Sequence, residues 1–320
     1  MTQRRARMLI PLLAVMAGLT AATPPPEPPP HINIQNLDHD VVLETVTRIT
    51  DELLVPGAVV YLSSPQGVIE VAHGVTEYNG SVPVEMDQHV RIGSVTKTWT
   101  GTAVLQLVDE GIVGLDEPIS QYLEGVPNGE NITIRQMLSM RSGLANYTTD
   151  VALNAAMDED PSRAWSQQEL LDIAFAKPPS FPPGTAFEYS NTNTVLLGLL
   201  VEKIDGAPLG DVFENRFFTP LEMENSSFPD VTDVGITDPH PNGYMFGTNS
   251  STITTAELPP DELAAALDGT LLPNDYPYLN PSWAWSAGAG ISTVSDLARW
   301  SEAIVTDELL CDDVQQERID

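Results

Sequence analysis

Arg91-Ile92-Gly93-Ser94-Val95-Thr96-Lys97-Thr98-Trp99-Thr100 is the stretch from which the rest of the chain can be read. A serine hydroxyl is a poor nucleophile while it keeps its proton. Lys97 follows Ser94 by three residues, so a helix beginning near Ser94 places the amine and the hydroxyl on one face. Burial lowers the pKa of a lysine, and the neutral amine then takes the hydroxyl proton. The positive end of the helix eases the charge that develops on the oxygen. Taken alone the pair is weak, because Ser-x-x-Lys arises by chance in roughly one such chain in five. Read that way, Ser94 is a helix cap and Lys97 a solvated side chain. Against this, lysine is scarce (Lys97, Lys177 and Lys203), and the residues after Lys97 do not read as a solvated surface.

Downstream of that stretch the pattern is mainly helical. Val95, Trp99, Ala103, Val104, Leu105, Leu107 and Val108 are apolar nearly all round, which predicts a buried helix closed by Gly111. Further helices are expected at Ile134 to Met140, at Leu170 to Ala176 behind the capping box Ser166-Gln167-Gln168-Glu169, at Thr194 to Ile204 before Gly206, at Asp261 to Leu267 and at Ser295 to Val305. Upstream, Leu37 to Leu54 carries a helical stripe, and Gly57 to Ser64 and Val68 to Val75 read as strands joined at Ser64-Pro65-Gln66-Gly67. Two strands alone make no stable sheet, so more are expected from elsewhere.

The N-terminus reads as an export signal. Arg4, Arg5 and Arg7 precede an almost wholly apolar or small stretch, Met8 to Ala22, too short to span a bilayer comfortably. Residues 1–22 are therefore read as a signal peptide, by a general or twin-arginine route, and 23–36 as a stiff Pro-rich linker. An exported location, secreted or in the periplasmic or cell-wall space, follows, with no stable membrane insertion after cleavage. The net charge of −31 excludes nucleic-acid binding, which needs a basic face. The apolar fraction of 42% is enough for a core. Neither a Gly-x-Ser-x-Gly elbow, nor His-Glu-x-x-His, nor a metal-spaced Cys/His set is present, so α/β-hydrolase and zinc chemistry are poor readings and no metal or cofactor is expected. The scattered histidines read as structural or surface residues.

A second constellation is Gly184-Thr185-Ala186-Phe187-Glu188-Tyr189-Ser190-Asn191. A phenol at the mouth of a helix relays protons, and an amide two residues on holds a carbonyl or the lysine. The plainer reading is a turn tyrosine with Asn191 as a helix N-cap. Tyr278-Leu279-Asn280 repeats the pattern in a Pro-rich loop.

Together these residues resemble the penicillin-recognising serine enzymes: class C β-lactamases, D-alanyl-D-alanine carboxypeptidases and related serine esterases. Leu107-Val108-Asp109-Glu110-Gly111, Ile134-Arg135-Gln136-Met137-Leu138, Arg141-Ser142-Gly143-Leu144, Pro183-Gly184-Thr185, Thr219-Pro220-Leu221-Glu222-Met223 and Ser286-Ala287-Gly288-Ala289-Gly290 follow in family order, so the resemblance spans roughly residues 40 to 310. It is strongest to the secreted carboxypeptidases. It implies an α+β fold, an antiparallel sheet flanked by helices plus a mostly helical subdomain, with a serine hydrolase domain over 37–320. It implies that Ser94 is acylated and supplies one oxyanion N–H, that Lys97 and Tyr189 handle its proton, that Asn191 orients the substrate amide, and that Trp283 lines the cleft. Which of Lys97 and Tyr189 is the base stays open, as does the leaving group: β-lactam, D-alanine or ester alcohol.

The family's third motif, Lys-Thr-Gly or His-x-Gly, has no match after Tyr189. His240-Pro241-Asn242-Gly243 has the wrong spacing, and Arg141-Ser142-Gly143 comes too early. The expectation is that the C-terminal strands are missing and the chain is nearly inactive, or that a second copy completes the sheet. The lone Cys311 fits a lost partner or a plain free thiol. A protein that binds penicillin or peptidoglycan peptide without turnover shares every motif present.

Overall fold

The computed structural model describes residues 38–319 apart from 254, 256, 277 and 307, so the signal and linker segments lie outside the described residues. Asp38 caps the first helix, α1 (His39–Glu52), by accepting from the Val41 N–H at 2.9 Å. Strands β1 (Gly57–Ser64) and β2 (Gly67–Gly74) form an antiparallel hairpin, registered from Gly57 opposite Gly74 to Ser64 opposite Gly67. The second strand thus starts and ends one residue earlier than the sequence suggests. Among the described residues no third strand joins this pair.

Strand β3 (Val90–Arg91) leads through a single tight turn, Gly93–Val95, into α2 (Thr96–Asp109). Then come α3 (Ile134–Leu138), opened by a Thr133–Gln136 capping box, and α4 (Val151–Glu159), whose Asp150 cap the sequence reading passed over. Helix α5 (Gln167–Phe175) begins at the expected Ser166–Glu169 box. Helix α6 (Asn191–Asp205) starts three residues before the expected Thr194, with Ser190 as its N-cap, and ends at Gly206. Helix α7 (Leu209–Phe213) runs into a wide turn over Glu214–Phe218. The last third carries β4 (Tyr244–Met245), α8 (Asn249–Thr252), α9 (Pro260–Leu267), β5 (Asn274–Asp275), β6 (Ile291–Ser292), α10 (Val294–Ala303) and α11 (Asp312–Ile319). Strand β3 pairs antiparallel with β6, and β4 with β5. The architecture is α+β: small antiparallel ladders beside a mainly helical body.

Helix α2 is the axis of that body. Trp99, Ala103, Val104 and Leu107 are fully buried, as expected of a helix apolar on nearly every side. Helix α6 packs against it, and its Val195, Leu196, Leu200 and Val201 are buried in the same core. Trp99 stands edge-on to Phe218 and Phe213, with ring centroids 4.8 and 5.8 Å away, a favoured aromatic geometry. Backbone comes close here: a Cβ on Gly290 would collide with the Trp99 ring and lie 2.9 Å from Thr96 Oγ1. Arg216 ties the ends of α2 and α6 together, reaching Glu110 at 2.6 Å and Asp205 at 2.7 Å.

Candidate active site

Ser94 sits in the tight turn at the head of α2, where the first helical N–H groups lack partners within the helix. Gly93 reaches this turn with φ +50°, in the left-handed region that favours glycine. Thr96 Oγ1 locks the turn by donating to Gly93 O at 2.7 Å and accepting from the Gly290 N–H at 3.0 Å. The next side chain inward, Lys97, donates to Ser94 Oγ at 3.1 Å. The i to i+3 spacing places the two groups as the sequence predicts.

Tyr189 arrives from the other side. The Glu188 N–H donates to Met140 O, and the Asn191 N–H donates to Asn146 Oδ1 at 3.2 Å, so the segment is pinned on both flanks. Its phenol lies 2.7 Å from Ser94 Oγ. Lys97 Nζ also stands 4.8 Å from the centre of the Tyr189 ring. One hydroxyl oxygen therefore touches both an amine and a phenol, while Ser94 and Tyr189 remain open to solvent.

The Lys97 amine has a further partner that sequence reasoning missed, the Ala287 carbonyl at 2.6 Å. Thr100 Oγ1 donates to Ser286 O and Ser286 Oγ donates to Thr194 O, a polar strut fixing that carbonyl between α2 and α6. The sequence signal for it is the stretch Ser286-Ala287-Gly288, which stands in family order. Burial lowers Lys97 from the ordinary 10.5 to about 8. At neutral pH a useful fraction of the amine is then uncharged. With one N–H held by Ala287 O, its lone pair can face the serine.

Asn191 makes no hydrogen bond to this group: its Nδ2 donates to Thr148 Oγ1 at 3.3 Å. It is the first residue of α6, one position past the N-cap. Trp283 presents its carbonyl to the buried Tyr147 phenol at 2.8 Å, and its side chain lines a cavity of about 480 Å³ with Arg91, His240 and Tyr244. Tyr147 is a second residue the sequence reading missed. Burial, then the nearby Tyr189, push its phenol well above the usual tyrosine range. The alternative Tyr-x-Asn is structural: Tyr278 is exposed, and Asn280 is buried, capping the turn at Pro281–Trp283. Cys311 is a free, exposed thiol. No group of three or more His, Cys, Asp or Glu placed to hold a metal occurs among the described residues, and no helix among them is long and apolar enough to cross a membrane.

The chain is similar in sequence and in fold to several known proteins. Penicillin-binding protein 4 of Amycolatopsis lactamdurans is 31% identical over 194 residues, covering 59% of this chain and 49% of that protein. The chain spans about half the length of the curated relatives it matches. Among solved structures, a D-stereospecific amidohydrolase from Streptomyces sp. superposes with a TM-score of 0.73 at 30% identity, covering 88% of this chain and 76% of that one. The D-amino acid amidase of Ochrobactrum anthropi SV3 superposes with a TM-score of 0.70 at 25% identity, covering 87% and 73%. Residues 44–319 match the family model described as Beta-lactamase. With that match covering most of the chain, the chain belongs to the Beta-lactamase family.

Proposed function

We propose that this protein is an exported serine hydrolase that cleaves amide bonds through an acyl-enzyme on Ser94. The observation that carries the reading is the single contact cluster in which Ser94 Oγ lies 3.1 Å from Lys97 Nζ and 2.7 Å from Tyr189 OH. In the proposed first step the neutral Lys97 amine takes the Ser94 proton as Oγ bonds to the substrate carbonyl carbon. Tyr189 passes a proton to the departing nitrogen as the C–N bond breaks, and water later releases the acyl group by the reverse relay. The Ser94 N–H, at the head of α2, is the proposed oxyanion donor. Asn191 is proposed to orient the substrate amide, and Trp283 to flank the acyl portion. The names of the relatives favour an amide next to a D-amino acid, as in a D-alanyl-D-alanine peptide or a β-lactam. Export is supported by the Arg4, Arg5 and Arg7 head followed by the apolar stretch Met8 to Ala22.

The test is covalent labelling. Incubation with a fluorescent penicillin and a fluorophosphonate, followed by peptide mass mapping, is expected to place the adduct on Ser94. An adduct elsewhere, or one that survives Ser94→Ala, sinks the assignment. A second reading, binding without turnover, draws on the same Ser94–Lys97–Tyr189 cluster. On that reading the protein captures penicillin or cell-wall peptide and holds it. Release of labelled acyl groups over many turnovers refutes it; a single burst equal to the protein concentration favours it.

A further inference from the structure

A cavity of about 630 Å³ opens between α2, α3, the end of α10 and α11, and none of the groups proposed above for acyl transfer lines it. That volume is in the range of small-molecule sites. Its floor is apolar, with Leu105, Leu138 and Ile304 around Gly101. Along α2 the lining residues Thr98, Gly101 and Leu105 form one stripe, and each residue turns the helix by about 100°. This face therefore lies about a quarter-turn from Lys97.

Two features of the cavity run against the rest of the chain. The first is charge. Arg135, Arg141 and Arg318 all line it, in a protein with 14 basic residues against 45 acidic ones. Arg135 is held by Asp116 at 2.9 Å and Glu317 at 2.5 Å. Arg141 is exposed, and its guanidinium makes no hydrogen bond or ion pair among the described residues. Arg318 is partly buried, donating to Ile304 O at 3.0 Å and to Thr102 Oγ1 at 2.9 Å, with no carboxylate partner among the described residues. A guanidinium carries five donors, so both have N–H groups to spare. Arg135 is engaged by Glu317 in the lining and by Asp116 outside it, which leaves Arg141 and Arg318 as lining cations without a carboxylate partner among the described residues. The second feature is Gly101. Glycine inside a helix is destabilising relative to alanine. Nothing crowds this one: an added Cβ would meet only Leu138 Cδ2, at an ordinary 3.7 Å. The missing side chain leaves room in the cavity.

We propose that this cavity is a second binding site, for an amphiphilic monocarboxylate whose apolar body lies over Leu105, Leu138 and Ile304 and whose carboxylate meets Arg141 and Arg318. A carboxylate supplies the negative charge that Arg141 and Arg318 lack, and the flat guanidinium fork matches two carboxylate oxygens. The cavity is too apolar for a free inorganic anion and too cationic for an alcohol or amine of the same body. The site does not depend on the chemistry of Ser94.

The test is isothermal titration of the full chain with sodium octanoate at neutral pH, beside octylammonium chloride and sodium acetate. Octanoate is expected to bind one-to-one and saturably. Acetate lacks the body and octylammonium carries the wrong sign, so each should bind at least about tenfold more weakly, the scale of one charge-assisted hydrogen bond. Arg141→Gln removes an exposed, unpartnered charge without touching the core, and Gly101→Leu fills the cavity floor. Each should weaken octanoate binding by about tenfold or more while the thermal midpoint of Arg141→Gln stays unchanged. Absence of saturable octanoate binding, equal binding of octylammonium, or undiminished binding by Arg141→Gln overturns the proposal.

Discussion

The hairpin region and the helical body are built from similarly apolar sequence, yet only one of them is closed. Around α2 and α6 the large side chains are fully buried: Trp99, Leu107, Val195, Leu200, Phe213 and Phe217. Across α1, β1 and β2, Val41, Ile49, Leu53, Val55, Leu62 and Val68 are exposed, and Val71 is the buried residue of the hairpin. The cause is geometric. A buried helix touches neighbours on every side, whereas β1 pairs on one edge only among the described residues. The candidate chemistry is gathered on the closed region, where a rigid surround fixes a serine, an amine and a phenol within hydrogen-bond reach.

The largest effect expected is on the chemistry held by that closed body. Ser94→Ala should abolish penicillin acylation, a loss on the order of a millionfold if Ser94 is the nucleophile. Circular dichroism should be unchanged, because Ser94 is exposed and outside the core. Residual labelling at a second serine would detach the chemistry from α2 and break the comparison. Next comes the body itself. Trp99→Ala removes a fully buried ring that meets Phe213, Phe218 and Trp300, and should cost about 3–5 kcal/mol in denaturant unfolding. A loss below about 1 kcal/mol would mean that the body is loosely packed and that closure is not what distinguishes it.

How much of this was legible in the sequence follows the same division. Helix α2 is legible because its apolar residues fall on nearly every side, and α5 because Ser166 and Glu169 form a capping box. The Ser94–Lys97 contact follows from helix spacing, which is local. Tyr189 had to come from far along the chain, and only resemblance could choose it over Tyr278. The lysine's carbonyl partner Ala287 was not legible, because a backbone oxygen carries no residue signature and its position depends on the Thr100–Ser286–Thr194 strut. Helix α4 was missed because Asp150, its cap, lies in a stretch with no clear apolar stripe. Strand pairing was the least legible of all: the hairpin's local turn was readable, whereas the two-residue ladders β3–β6 and β4–β5 join segments far apart in sequence.

A smaller effect reports the electrostatics inside the body. If the neutral Lys97 amine is the base, acylation should fall about tenfold per pH unit below its pKa and level off above it. The midpoint should lie near 8, where burial puts the amine. Stability has a linked sign. The folded pKa is lowered, so between about 8 and the ordinary 10.5 the unfolded chain binds more protons, and the Lys97 contribution favours folding as pH rises through that window. Rate constants for fluorescent penicillin, measured over about two pH units on either side of 8, check the first part. A flat profile would assign the base elsewhere.

The smallest effect belongs to the open region, and its smallness is the point. Val68 lies in β2 opposite Ser63 and is 53% exposed. Val68→Thr keeps a β-branched side chain suited to a strand, and the new hydroxyl stays in water. The change should therefore move unfolding stability by no more than about 0.5 kcal/mol in either direction. The same exchange inside a packed core would strand a hydroxyl among apolar atoms and cost on the order of 1–3 kcal/mol. Denaturant melts of Val68→Thr beside Trp99→Ala measure that contrast on one protein. A loss above about 1 kcal/mol at Val68 would show that this face of the hairpin is covered in solution, by another copy or by other parts of the polypeptide. The hairpin would then count with the closed region, and the division drawn between the two would fall.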